Sequence, residues 1–228
     1  MDGVVQEQGM MRAKGLLEEQ TPKRPVLQEN AFVHLAREVI KEMEALARFF
    51  FEAGLLKRIK RSGWWVAGVK DPESVAEHSF RTALLGYVLA LLEGADPFRT
   101  AAICILHDLP EARIGDLHRL NDRYLDSTQA QIQALADQLA PLPELCTRDL
   151  SRLYKEWELG ESPEALVAKD ADLLECLIQA REYQAQGCSS VQEWINNTAS
   201  RLQTNSAKAI ARACMEGDPK EWWHLLSG

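Results

Sequence analysis

From Asn30 onward the apolar residues of this chain recur at three- and four-residue steps, and no stretch keeps the two-residue alternation of a strand. Phe32, Val33, Leu35, Ala36, Val39, Ile40, Met43, Leu46, Ala47 and Phe50 make one such stripe, with Asn30 as a candidate N-cap and Gly54 near its end; residues so spaced share one helix face. Ser74-Val75-Ala76-Glu77 has capping-box spacing and opens a helix that runs through Leu92 to a stop at Gly94. Asp96-Pro97 starts the next, an N-cap followed by proline at the first helical position. Further helices are predicted over 127–140, 147–158, 163–187, 190–215 and 218–226, punctuated by Pro141, Pro143, Gly160, Pro163, Gly187 and Gly217. Helices without strands predict an all-α bundle, helix packed on helix around one core.

Residues 1–29 are polar and broken by Gly3, Gly9, Gly15, Pro22 and Pro25. That composition predicts a mobile N-terminal extension, with a short helical patch over Val5–Glu19, ahead of a helical domain over 30–228. The net charge of −8 argues against a general nucleic-acid binder, which needs a basic face, but allows a small anionic substrate in a locally basic pocket. Cys104, Cys146, Cys176, Cys188 and Cys214 are scattered, odd in number and without a C-x-x-C pair. They read as reduced thiols of a cytoplasmic protein. The start of the chain carries Asp2 and Glu7 and lacks the apolar run of a secretory signal. No segment approaches the ~20 apolar residues of a membrane span. Neither a membrane nor a nucleic-acid polymer is therefore an expected partner.

His107-Asp108 ends the apolar run Ala101-Ala102-Ile103-Cys104-Ile105-Leu106. A buried imidazole or carboxylate must be hydrogen-bonded, paired or metal-bound, because leaving it unsatisfied costs several kcal/mol. Glu111 follows one turn later, then Gly115-Asp116; upstream, His78 follows Glu77 near the start of another apolar helix. A third apolar segment, Leu166 to Leu174, contains Asp170 and Asp172. Taken singly, each has an ordinary reading: a lone helix histidine is more often structural than a ligand, and two acids in a helix usually mark a solvated face. Imidazole nitrogens and carboxylate oxygens on several apolar helices together suit a first-row divalent metal.

The strings Arg61-Ser62-Gly63-Trp64, Pro72-Glu73-Ser74-Val75-Ala76-Glu77-His78, His107-Asp108-x-x-Glu111-x-x-x-Gly115-Asp116 and Lys169-Asp170-Ala171-Asp172 resemble the 5′-deoxynucleotidase branch of the HD-domain metal-dependent phosphohydrolases, over roughly residues 30–187. The resemblance implies one divalent transition metal (Co, Mn, Fe, Ni or Zn) on His78, His107, Asp108 and Asp172. Helical periodicity favours Asp170 instead, since it shares the stripe of Leu166, Leu173, Leu174 and Leu177; the family register selects Asp172. It also implies Glu111 as general acid/base and Asp116 beside the substrate or the attacking water, where the ordinary readings are a helix-end acid and an N-cap. Arg61 becomes the phosphate clamp, while its neighbours Lys57, Arg58 and Lys60 read as a solvated helix end. Trp64 either lines a nucleoside pocket or anchors a core or dimer contact.

The implied activity is hydrolysis of deoxynucleoside 5′-monophosphates to deoxynucleosides and phosphate, so that the partner is a small nucleotide substrate. The alternatives are the same chemistry on another nucleotide or small phosphate ester, or a metal-containing regulatory or binding protein without turnover. A homodimer is expected from the resemblance and from the tryptophan pairs 64–65 and 222–223.

Overall fold

The computed structural model describes residues 26–227, and their regular elements are helical apart from an isolated antiparallel bridge between Lys60 and Ser74. In chain order they are α1 (Val26–Ala53), a 3-10 turn (Gly54–Lys57), α2 (Gly63–Val66), α3 (Val75–Glu93), α4 (Pro97–Leu106), α5 (Glu111–Ile114), a second 3-10 turn (Asn121–Arg123), α6 (Ser127–Leu139), α7 (Glu144–Leu159), α8 (Pro163–Ala185), a third 3-10 turn (Ser189–Val191), α9 (Gln192–Arg201), α10 (Asn205–Glu216) and α11 (Glu221–Leu226). Two compact units divide the chain, Met1–Glu44 and Ala45–Gly228. The helical patch expected over Val5–Glu19 lies outside the described residues, as does most of the expected 1–29 extension. Helix α1 begins at Val26, so Asn30 lies inside it and is not its cap. Val26 to Glu29 contain no glycine or proline to stop the helix earlier.

The local signals that start and stop the central helices act as expected. Ser74 caps α3 by accepting from the Glu77 amide, and the Glu77 carboxylate accepts from the Ser74 amide at 2.6 Å. Gly94 closes the helix in the left-handed region. Asp96 accepts from the amides of Phe98 and Arg99 at the head of α4, with Pro97 in the first turn. The single helix expected over 190–215 is instead two, α9 and α10, broken at Leu202–Thr204. Leu202 is extended, Thr204 caps α10, and the amides of Gln203 and Thr204 donate to the Asp170 carboxylate. The break is held by a residue on another helix, which periodicity within 190–215 does not reveal.

Helices α3, α4 and α8 form the centre of the second unit. Leu89 of α3, Ile103 of α4, and Leu174 and Leu177 of α8 are fully buried in one cluster with Ala171 and Ile195. Each such side chain contributes about 1.5–3 kcal/mol on burial. A second cluster gathers Leu56, Val75, Leu109, Ala112, Leu135, Leu139 and Tyr154. Leu106 and Trp157 touch both clusters, so the end of α4 lies at their junction. Gly86 lets α3 and α4 approach closely: a Cβ there would stand 2.6 Å from the Cys104 sulfur. That approach brings the histidine near the start of α3 toward the histidine at the end of α4.

Candidate metal centre

His78 sits in the first turn of α3, with its side chain fully buried. His107 is the C-cap of α4, Asp108 follows it, and Asp172 lies in the middle of α8. The structure brings these four residues to one point. His78 Nε2 is 3.4 Å from His107 Nε2, 3.6 Å from Asp108 Oδ2 and 3.2 Å from Asp172 Oδ1. His107 Nε2 is 3.2 Å from Asp108 Oδ2 and 3.9 Å from Asp172 Oδ1. Asp170, two residues from Asp172, is fully buried and is the inward-facing residue its periodicity indicates. Its carboxylate is committed to the Gln203 and Thr204 amides.

The chemistry of this donor set fits a divalent cation. His107 Nδ1 donates to the Cys104 carbonyl at 2.6 Å, which leaves Nε2 with its lone pair. His78 Nδ1 lies 2.5 Å from Glu175 Oε2 and donates to that carboxylate. With the rings in that tautomer, nitrogen lone pairs and carboxylate oxygens face one another, an arrangement of acceptors that positive charge stabilises. Burial and the Arg61 charge oppose a charged His78, yet Asp172 and Glu175 outweigh them and push its pKa up to about 10. A proton on His78 is one source of that charge; a cation among the same atoms would take its place. Burial raises both aspartates, but His107, Arg61 and His78 outweigh it at Asp108, and His78 and His107 do so at Asp172, so that both lie below the ordinary carboxylate range. Of the four side chains that of Asp172 is the most exposed, at 26% against 0% for His78.

Arg61 lies in the turn before α2. Its Nη1 donates to Asp108 Oδ2 at 2.9 Å and stands 3.4 Å from Asp116 Oδ1, and its Nη2 is 3.5 Å from the Cys176 sulfur. Lys57 and Arg58 are exposed, and Lys60 pairs with Asp71 and the Pro72 carbonyl. Gly115, at φ 77°, ends α5 and turns the chain, and Asp116 then accepts from the Ser62 amide at 2.6 Å. Glu111 is buried, and its Oε2 has no partner. Burial, then the charges of Asp108 and Asp116, push its pKa well above the usual carboxylate value, which favours the protonated form. Trp64 is 3% exposed, packs edge-on against Tyr183, and donates its Nε1–H to Glu73. It occupies the core position that was one of its two expected roles.

Sequence reasoning missed four side chains. Ser62 holds Asp116 across 54 residues of chain. Glu175 and Arg81 stand behind His78, and the Cys176 sulfur lies within 4.8 Å of His78 and Asp172 ligand atoms. Burial pushes the Cys176 thiol up, which keeps it protonated. For Glu175 a signal was present: an acid three residues after Asp172, between Leu174 and Leu177 on a core helix, requires a partner.

Comparison with known proteins identifies the family. The HD domain family model matches residues 53–214. The chain is similar to the Danio rerio protein named 5′-deoxynucleotidase HDDC2, 29% identical over 143 residues, 62% of this chain and 71% of that protein. A Dictyostelium discoideum protein of the same name is 31% identical over 153 residues, 63% of this chain and 80% of that protein. Among solved structures, a conserved hypothetical protein from Pyrococcus furiosus superposes with a TM-score of 0.64 at 32% identity, covering 75% of this chain and 99% of that one. The family match spans the central helices and all four convergent side chains, and the chain belongs to the HD-domain family.

Proposed function

We propose that this protein is a metal-dependent 5′-deoxynucleotidase, releasing phosphate from deoxynucleoside 5′-monophosphates. The observation that carries this reading is the convergence of His78, His107, Asp108 and Asp172 beside a buried glutamate with an unpartnered oxygen. The relatives named 5′-deoxynucleotidase supply the substrate class. The four side chains would hold a single divalent transition metal; nitrogen and oxygen donors suit Co, Mn, Fe, Ni or Zn alike. Such an ion lowers the pKa of water and polarises a phosphoryl oxygen.

The remaining chemistry belongs to the chain. Arg61 binds the phosphate with its fork of donors. Trp64, whose amide donates to the Arg61 carbonyl, fixes the turn that presents the guanidinium. A water oxygen bonds to phosphorus as the bond from phosphorus to the 5′ oxygen breaks. Glu111, protonated in its buried position, gives that leaving oxygen its proton. Asp116, held by Ser62, orients the attacking water; the proton that this water sheds passes to solvent, and Glu111 regains its own from solvent. The products are a deoxynucleoside and phosphate. A binding protein without turnover would have no use for the buried, unpartnered acid of Glu111.

A homodimer belongs to the same proposal. Trp65, Trp222 and Trp223 each expose more than half their surface and offer apolar area to a second copy; light scattering at micromolar concentration checks it. A cytoplasmic location is proposed from the five free thiols. Among the described residues no helix is long and apolar enough to cross a membrane.

The test is phosphate release from a panel of deoxyribonucleotides, ribonucleotides and simple phosphomonoesters, with and without added Mn or Co. Metal-dependent release from the deoxynucleoside 5′-monophosphates is expected. Release only from other esters would change the substrate, and no release despite bound metal would leave a binding protein.

A further inference from the structure

Along α8 the residues Asp172, Glu175, Gln179 and Glu182 follow three-, four- and three-residue steps, which places them on one face. That face meets His78 and Arg81 of α3. Glu175 is fully buried and divides its two oxygens: Oε2 takes His78 Nδ1 at 2.5 Å, and Oε1 takes the Arg81 Nε at 2.9 Å. Arg81 spends its other nitrogens on Glu182 at 2.8 Å and Gln179 at 2.6 Å. The two imidazoles of the candidate centre are thus held differently. His107 leans on the neutral carbonyl of Cys104, whereas His78 leans on an ionised carboxylate that is itself fixed by a guanidinium.

A fully buried carboxylate costs several kcal/mol in desolvation, and a well-packed apolar side chain at the same place is often at least as stable. Its placement on Nδ1 has a consequence that packing alone does not require. A carboxylate on one imidazole nitrogen fixes the tautomer, orients the ring and raises the basicity of the other nitrogen. Resting on the metal-dependent reading above, we propose that Glu175, anchored by Arg81, is a positioning residue that aims the His78 Nε2 lone pair at the cation and makes His78 the stronger of the two imidazole donors. No reacting atom touches Glu175; it acts through His78. Arg81 and Gln179 also line a surface cleft of about 450 Å³ together with Lys60, Glu73 and Phe80, so this chain of contacts runs from the metal point to solvent.

Cobalt(II) is the probe, because its visible absorption reports donor strength and geometry independently of turnover. Titration of the full-length protein should give a Kd, and the saturated form a spectrum. In Glu175→Gln, which preserves shape and removes the charge, Co(II) affinity is expected to fall by roughly 10- to 100-fold. The visible bands of the saturated variant are expected to shift. Glu175→Ala should weaken binding at least as much; should it fail to fold, the glutamine variant decides. Unchanged affinity in folded Glu175→Gln would overturn the inference. So would weaker binding with an unshifted saturated spectrum, which would mark Glu175 as a core residue only. These results leave the hydrolase reading standing if the unsubstituted protein binds cobalt and releases phosphate. Failure of the unsubstituted protein to bind cobalt would overturn both.

Discussion

The Nε2 atoms of His78 and His107 stand 3.4 Å apart, and each ring is pinned through its Nδ1 to an acceptor on the far side. Two imidazoles that face each other with Asp108 and Asp172 at 3.2 Å form a site organised around positive charge. The fold brings them together by simple means: a capping box sets the first turn of α3, and Gly86 lets α4 close on that helix.

Asp170 and Asp172 should separate stability from metal binding. Asp170→Ala leaves the Gln203 and Thr204 amides without their carboxylate acceptor, and a loss of about 1.5–3 kcal/mol is expected for hydrogen bonds to a charged group. Urea unfolding should show that loss, while metal content and turnover of the folded protein stay near those of the unsubstituted chain. Asp172→Asn should do the reverse.

Glu111→Gln keeps the volume of the buried side chain and removes its proton. A fall in kcat of roughly 10²–10⁴-fold is expected for loss of a positioned general acid, with KM and metal content little changed. Steady-state kinetics with metal analysis on the same sample checks this. Unaltered kcat would remove Glu111 from the proton path.

Arg61→Lys replaces a fork by a point charge. Loss of a charge-assisted hydrogen bond of about 1.5–3 kcal/mol corresponds to KM rising by roughly ten- to a hundredfold. Inhibition by inorganic phosphate should weaken in parallel. A variant with normal KM but lower kcat would assign Arg61 to holding Asp108 and not to the substrate.

Gly86→Ala places a Cβ 2.6 Å from the Cys104 sulfur. Overpacking of this kind costs about 1–3 kcal/mol. Combined with Cys104→Ala, part of the loss should be recovered, because the two side chains share the same space. Strictly additive losses in denaturant unfolding would contradict the close approach of α3 and α4.

Much of the fold and of the site is legible in the amino-acid sequence. Ser74 with Glu77, Asp96 with Pro97, and Gly94 act through neighbours within one turn, so their spacing alone locates the ends of α3 and the head of α4. The family resemblance names the four side chains that converge, and Asp172 lies beside His78 while Asp170 faces the Gln203 and Thr204 amides. Periodicity marks Asp170 correctly as inward-facing but cannot name its partner, a backbone turn 33 residues away. The same turn splits the helix expected over 190–215, for the same reason. Ser62 behind Asp116 and Arg81 behind Glu175 are invisible in the sequence because each pair meets only when distant segments pack. Trp64 shows the limit of composition: an aromatic side chain suits a base pocket and a core equally well, and only the contacts with Tyr183 and Glu73 locate it.

Metal analysis after chelation and dialysis against cobalt or manganese tests the central claim most directly. A single cation per chain is expected in the unsubstituted protein and in Asp170→Ala, with the ion lost from His107→Ala and from Asp172→Asn while both remain folded. A protein that retains no ion under these conditions, or that retains it equally in all four forms, would contradict a cation held by His78, His107, Asp108 and Asp172.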